Sequence, residues 1–127
     1  MDLKKYKDFG PTILRVFLGL LFLMPGFDKL MGLLGEGHML IDMLGLPLTW
    51  VLAIVEIVFG IFLILGFKVE IASMALAIVM VGAIVLVVIP SFAEDPMAVV
   101  NLLFHLLAIA GLINVALSGP GKLAIKN

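Results

Sequence analysis

The chain contains no cysteine, and only 13% of its residues are charged. The missing cysteine excludes disulfides, thiol chemistry and Fe–S ligation by this chain. With 64% hydrophobic residues and a mean hydropathy of +1.32, there is too little polar surface for a water-soluble domain. A net charge of −1 offers no basic field to nucleic acid. The composition therefore indicates an integral protein of the cell membrane, in contact with lipid.

Four apolar segments are each long enough to cross a bilayer. A hydrocarbon core of about 30 Å needs about 20 apolar residues in a helix. The qualifying segments run approximately over residues 11–34, 47–67, 69–89 and 96–117. Three of them begin at a proline, which suits the first turn of a helix, and Asp95 precedes Pro96 as a good N-cap. Gly66 is a plausible stop for the second span. We predict an all-α, four-helix bundle that forms a single domain over residues 1–127.

The charges differ between the two sides of this four-span arrangement. Seven of the eight basic residues fall on the side of the termini: Lys4, Lys5, Lys7, Arg15, Lys68, Lys122 and Lys126. The positive-inside rule therefore predicts that both termini are cytoplasmic. The start of the chain also resembles a signal peptide, but no small-x-small cleavage site follows, so we expect the first span to be retained.

Residues 35–46 form the only sizeable predicted loop. Its apolar side chains favour a short interfacial or re-entrant helix. His38 lies in this loop near Glu36 and Asp42, and we interpret it as a surface residue. The sequence has no HExxH motif and no paired-histidine spacing, so no metal site is predicted.

Glu56 lies at the centre of the second span, where a carboxylate is costly to bury and is seldom left unpaired. The available partners are Lys29, His105 and Asn101. Paired with Lys29, Glu56 would be charged; unpaired, it would be protonated. Two interpretations stay open: a structural pair that fixes the helix register, and a carboxylate that handles protons or binds a ligand.

The first span carries a stripe of residues on one helical face. Its members, spaced by 4, 3, 4 and 3 positions, are Arg15, Gly19, Phe22, Gly26 and Lys29. The glycines allow another helix to approach closely. Arg15 is either an interface anchor that extends toward the cytoplasmic edge or a buried functional cation.

Asn101 and His105 share a face of the fourth span, and His105 lies at a depth similar to that of Glu56. A neutral imidazole accepts one hydrogen bond and donates another. Together with Glu56 it could hold a quinone carbonyl or pass a proton. The alternative is a hydrogen bond that only links helices.

Four stretches of the chain resemble the DoxX family of small four-span membrane proteins. They are LRVFLGLLFLMPGFDKL at 14–30, LGLP at 44–47, EIVFGIFLILGF at 56–67 and SGPGKLAIK at 118–126. The resemblance implies a compact membrane bundle associated with membrane redox chemistry, since the related DoxD subunit belongs to thiosulfate:quinone oxidoreductase. It directs attention to Arg15, Lys29 and Glu56. An acidic residue expected early in the fourth span is replaced here by Asn101.

These observations lead to one leading prediction and two alternatives. The protein is predicted to be an accessory or quinone-binding subunit of a membrane redox system, with quinone as the ligand and a redox partner subunit. The alternatives are an assembly protein without chemistry of its own and a small proton-coupled transporter. Homo-oligomers are expected. The candidate ligand-binding or proton-handling residues are Glu56, His105, Lys29, Arg15 and Asn101.

Overall fold

A computed structural model describes residues 2–35 and 37–125. Within these residues all regular structure is helical, and four helices are long and apolar enough to cross a membrane. The helices are α1 (Phe9–Leu34), α2 (Met39–Leu44), α3 (Leu46–Leu65), α4 (Val69–Ala83) and α5 (Ala98–Ser118). Short 3-10 turns lie at Lys4–Tyr6 and Pro90–Ala93, and a π-helical segment, Ile84–Val88, extends α4. The predicted all-α, four-span fold is confirmed.

The predicted stop of the second span at Gly66 is confirmed. Gly66 has a left-handed backbone (φ +75°), and its N–H donates to the carbonyl of Leu63. Glycine adopts this conformation without the steric penalty that a side chain would bring. The turn that follows is therefore tight, and α4 begins only three residues later, at Val69.

The fourth span begins slightly later than predicted. We expected Pro96 to occupy the first turn and Asp95 to cap it, but α5 begins at Ala98. The Asp95 carboxylate instead accepts a hydrogen bond from the N–H of Met97 at 2.8 Å, two residues on. This local side-chain bond forms a turn that competes with helix and delays its start.

The four spanning helices form two closely packed antiparallel pairs, α1 with α3 and α4 with α5, and the pairs meet along α3–α4 and α1–α5. In the first pair the backbones almost touch. A Cβ added at Gly19 would lie 2.6 Å from the carbonyl oxygen of Gly60, and one added at Gly60 would lie 3.0 Å from that of Gly19. Small residues at such a crossing bring helices together in lipid, where no hydrophobic effect drives them together.

The two ends of the bundle differ in how they are filled. At the termini end, where the N–H of Lys122 donates to the carbonyl of Asp8, both ends of the described chain meet. The apolar core lies toward this end and includes the fully buried Leu63, Leu76, Leu112 and Val115. At the opposite loop end, beneath α2, the helices enclose a cavity. Which end faces the cytoplasm stays a prediction.

Candidate functional site

A buried ion pair joins α1 to α3. Lys29 Nζ lies 2.6 Å from Glu56 Oε1 and 3.2 Å from Oε2. Both residues are buried, with 9% and 5% of their surface exposed. Gly26, one turn before Lys29, allows this approach, since a Cβ there would lie 2.9 Å from the Cβ of Glu56. Among the partners that the sequence offered for Glu56, the structure identifies Lys29.

The pair does not use all of its hydrogen-bonding capacity. An ammonium group has three N–H donors, and both of the bonds described here for Lys29 go to one carboxylate. The third donor and the remaining lone pairs of Glu56 are therefore available to a further partner. Lys29 and Glu56 both line the cavity at the loop end, so that partner can be a molecule bound there.

The cavity has a volume of about 470 Å³ and is lined by all five α-helices. Small-molecule sites occupy about 300–1,000 Å³, with apolar walls and a few polar groups that fix orientation. Most of the wall here is aliphatic or aromatic, and its charged or titratable residues are Lys29, Glu56 and His105. The composition of the wall fits a largely apolar ligand with a small polar head.

The short helix α2 covers the loop end of the cavity. Leu40 and Leu44 of α2 line the cavity. His38 caps this helix, since its Nδ1 accepts a hydrogen bond from the N–H of Leu40 at 3.1 Å, and its Nε2 lies 3.3 Å from the Asp28 carboxylate on α1. The short helix predicted within residues 35–46 is confirmed. The interpretation of His38 as a plain surface residue is wrong, because its half-buried ring joins α2 to α1.

The cavity extends to the lipid-facing surface of the bundle. Ile78 and Leu86 of the α4 region and Phe104 of α5 line the cavity, yet their side chains are 70%, 49% and 48% exposed. Apolar side chains exposed at this depth of a membrane protein contact lipid. A ligand dissolved in the bilayer can therefore reach the cavity sideways, between helices.

His105 lines the same cavity as the ion pair. Its Nδ1 lies 2.7 Å from the carbonyl oxygen of Asn101, one turn earlier. Because a carbonyl oxygen only accepts, Nδ1 carries the hydrogen in this contact, so the lone pair of the neutral ring is on Nε2. Within residues 2–35 and 37–125 no hydrogen bond joins His105 to Glu56. The two side chains thus share a cavity wall without a described hydrogen bond between them.

Asn101 is not among the described residues that line the cavity. Its side chain is exposed, and its amide nitrogen donates to the Asp95 carboxylate at 3.3 Å. Its contribution to the site is the backbone carbonyl that orients the His105 ring. Asn101 and His105 thus meet on the helical face that they share, through the backbone carbonyl of Asn101, and only the His105 side chain lines the cavity.

Arg15 is fully buried at the termini end, away from the cavity. An arginine has five N–H donors, and each of them reaches a backbone carbonyl at 2.6–2.9 Å. The acceptors are Leu63 and Ile64 at the end of α3, and Pro120, Lys122 and Leu123 of the C-terminal segment. The interpretation of Arg15 as a snorkelling interface anchor is wrong: the cation satisfies the last carbonyls of α3 and holds the C-terminal segment against it.

Further bonds fix the C-terminal segment in place. Thr12 Oγ1 donates to the Lys122 carbonyl at 2.6 Å, and the N–H of Ile125 donates to the carbonyl of Leu65 at 2.8 Å. Two stretches identified separately in the sequence, the Leu-Arg opening at 14–15 and the close at 118–126, are thus in contact within the described part of the chain. No local pattern shows this, because the partners are about a hundred residues apart.

The fold and the cavity wall define a class of protein: a small four-helix membrane protein with a buried ion pair beside a cavity that opens to lipid. The family model named DoxX matches residues 10–89. The chain belongs to the DoxX family, as the sequence motifs predicted. It is also similar to "Putative oxidoreductase CatD" of Bacillus subtilis (strain 168), with 28% identity over 125 residues, 97% of this chain and 89% of the relative. No solved structure matches this chain.

Proposed function

We propose that the protein binds a quinone in the cavity at the loop end and acts there as a subunit of a membrane redox system. The observation that carries the proposal is the cavity of about 470 Å³, apolar over most of its wall, with Lys29, Glu56 and His105 as its charged or titratable groups. A quinone has the matching chemistry, an apolar tail and two carbonyl oxygens that accept hydrogen bonds.

The wall offers a donor and two proton acceptors. The third N–H of Lys29 donates to a quinone carbonyl, and the lone pairs of the Glu56 carboxylate and of His105 Nε2 can accept the protons of a quinol. A bound quinone supplies the two-electron redox chemistry. This chain's residues would orient the ring and take up or release protons, while the electrons are exchanged with a partner subunit.

The redox assignment has independent support from the comparison. The Bacillus relative, similar over 97% of this chain at 28% identity, has the name "Putative oxidoreductase CatD". The lipid-facing exposure of Ile78, Leu86 and Phe104 adds a route from the bilayer, where quinones are dissolved. We therefore place the quinone head beside the ion pair and its tail toward the lipid.

The single tryptophan makes the proposal testable by fluorescence. Trp50 lies on α3 between Leu48 and Leu52, both of which line the cavity. Decylubiquinone, a quinone with a short saturated tail, quenches nearby tryptophan. Titrated into protein in nanodiscs, it should quench Trp50 with a saturable curve, and His105→Phe should weaken the apparent affinity.

A matched variant separates binding from partitioning into lipid. Asn114→Leu also removes a polar group from α5, at an exposed position outside the described cavity wall, so it should leave the titration unchanged. A linear, non-saturating curve in the unmodified protein would mean that the quinone only dissolves in the bilayer. That result would overturn the quinone-binding role.

A second function, assembly without chemistry, is favoured by one observation. All five N–H donors of Arg15 bind backbone carbonyls of α3 and of the C-terminal segment, so the role of this buried cation is structural. If the Lys29–Glu56 pair has the same role, replacing it should lower stability and leave quinone titrations unchanged. Loss of quinone binding in a variant of unchanged stability would exclude that reading.

A further inference from the structure

Gly82 has open space where a side chain would lie. It lines the cavity from α4, and a Cβ built on its backbone meets no atom within 4 Å. Its backbone conformation is one that any residue adopts, since Gly82 is not among the described glycines with positive φ. Neither backbone strain nor close packing therefore requires glycine at this position.

Most other helical glycines have a packing reason that Gly82 lacks. Gly19, Gly26 and Gly60 each lie against the backbone of a neighbouring helix. Gly10 also has open space, but it lies in the exposed first turn of α1. Glycine is the least favourable residue in a helix interior after proline. Glycine at position 82 is therefore unfavourable for α4, and what distinguishes this position from the other helical glycines is open space at the cavity wall.

The helix geometry changes directly after Gly82. Residues Ile84–Val88 form a π-helical segment, in which the N–H of Ile89 donates to the carbonyl of Ile84 at 2.9 Å. Such segments are rare and occur frequently at functional sites. Leu86 and Val87 of this segment also line the cavity. An unfilled glycine position and the π-helical segment that follows it therefore both lie along the same stretch of cavity wall.

We propose that Gly82 is the size-determining position of the cavity: its missing side chain, with the π-helical turn after it, makes room for part of a molecule that comes from the lipid. The proposal rests on the proposed function only for the identity of that molecule as a quinone. The free volume at Gly82 is a property of this chain, whatever the molecule is.

The test uses two substitutions and a control of matched size. Gly82→Ala and Gly82→Leu add a side chain at a position that lines the cavity, whereas Ala110→Leu adds bulk at an exposed position of α5 outside the described cavity wall. Each protein is released from its own membranes and measured by native mass spectrometry, with retained small molecules identified after extraction. Thermal unfolding of the ligand-stripped proteins is recorded in parallel.

We expect the unmodified protein and Ala110→Leu to retain the same molecule, and Gly82→Leu to retain about tenfold less or none. Gly82→Ala should unfold at a higher temperature than the stripped parent, because alanine favours helix, while its ligand retention falls. If Gly82 were needed only for the structure, Gly82→Ala would lower the unfolding temperature and the ligand retention together.

The outcomes distinguish the two proposals. A retained quinone that Gly82→Leu loses supports both, and a retained molecule of another class that Gly82→Leu loses supports the role of Gly82 and overturns the quinone assignment. Equal retention by Gly82→Leu and the parent would overturn the role of Gly82. No retained molecule in the parent would overturn it as well.

Discussion

Lys29 and Glu56 are 27 residues apart in the chain and 2.6 Å apart in the fold, and their ion pair joins α1 to α3 at the wall of the cavity. The carboxylate takes two of the three ammonium donors, and both groups border an apolar space. The pair therefore links two helices and also provides polar groups at the wall of the apolar cavity.

The first prediction concerns the stability of the pair. Glu56→Leu and Lys29→Met should each lower the free energy of unfolding by about 3–5 kcal/mol, because each removes one partner of a buried pair and forces the other to stay charged without compensation or to become neutral at a cost. The double variant should lose much less than the sum. Reversible unfolding in mixed detergent micelles measures all three values in a double-mutant cycle. Additive losses would show that the two side chains do not interact.

The second prediction concerns Arg15 and the C-terminal segment. Arg15→Lys offers three donors to five carbonyls, so at least two are left without Arg15 donors and stability should fall by about 2 kcal/mol or more. The Lys122 carbonyl accepts bonds from Arg15 and from Thr12, and it should lose the guanidinium bond while the Thr12 bond remains. Trypsin should then cleave after Lys122 faster than in the parent.

Thr12→Val provides the comparison for this experiment. It removes one of the two side-chain bonds to the Lys122 carbonyl and leaves the guanidinium in place. Cleavage after Lys122 should therefore accelerate less than in Arg15→Lys. Equal cleavage in all three proteins would contradict the role of Arg15 in holding the C-terminal segment.

The third prediction tests the close approach that positions Glu56. Gly26→Ala would place a Cβ 2.9 Å from the Glu56 Cβ and 3.1 Å from the backbone nitrogen of Ile57, so the helices have to move apart. We expect a loss of about 1–3 kcal/mol from overpacking. Gly10→Ala, in open space on the same helix, should be neutral or stabilising by up to about 1 kcal/mol. Equal effects of the two substitutions on thermal unfolding would argue against this account of Gly26.

The sequence predicted the part of the fold that depends on composition and local pattern. Span length and hydropathy gave four helices, and Gly66 ended one of them because its left-handed backbone suits glycine. The stripe that contains Gly26 and Lys29 indicated which face of α1 meets α3, because the spacing of a helix fixes which residues share a face. The cost of burying Glu56 then indicated that it has a partner, with Lys29, His105 and Asn101 as candidates, and the fold was needed to identify Lys29.

The remaining features depend on contacts that local pattern does not encode. Arg15 lies near a span boundary, where snorkelling is the ordinary expectation, and only the fold brings the carbonyls of residues 120–123 to its guanidinium. The open space at Gly82 borders a cavity that all five helices line, so it can be recognised only once all of them are placed. The π-helical turn has no composition signal, since Ile84–Val88 is an ordinary apolar run.

The fourth prediction concerns orientation in the membrane. The natural chain has no cysteine, so single-cysteine variants carry one label each. If the positive-inside rule holds, Asp42→Cys on α2 should react with a membrane-impermeant thiol reagent in intact cells, and Lys4→Cys only after permeabilisation. The unmodified chain should give no label. The reverse pattern would place the termini outside the cytoplasm and the cavity toward the cytoplasmic leaflet.

The central claim, that a quinone carbonyl lies against Lys29 within the cavity, is tested most directly by infrared difference spectroscopy with a carbonyl-labelled quinone. Hydrogen bonding to Lys29 should shift one carbonyl band below its position for the same quinone in lipid, and Lys29→Met should abolish that shift. A labelled band at the lipid position in the unmodified protein, or a shifted band that Lys29→Met leaves unchanged, would contradict it.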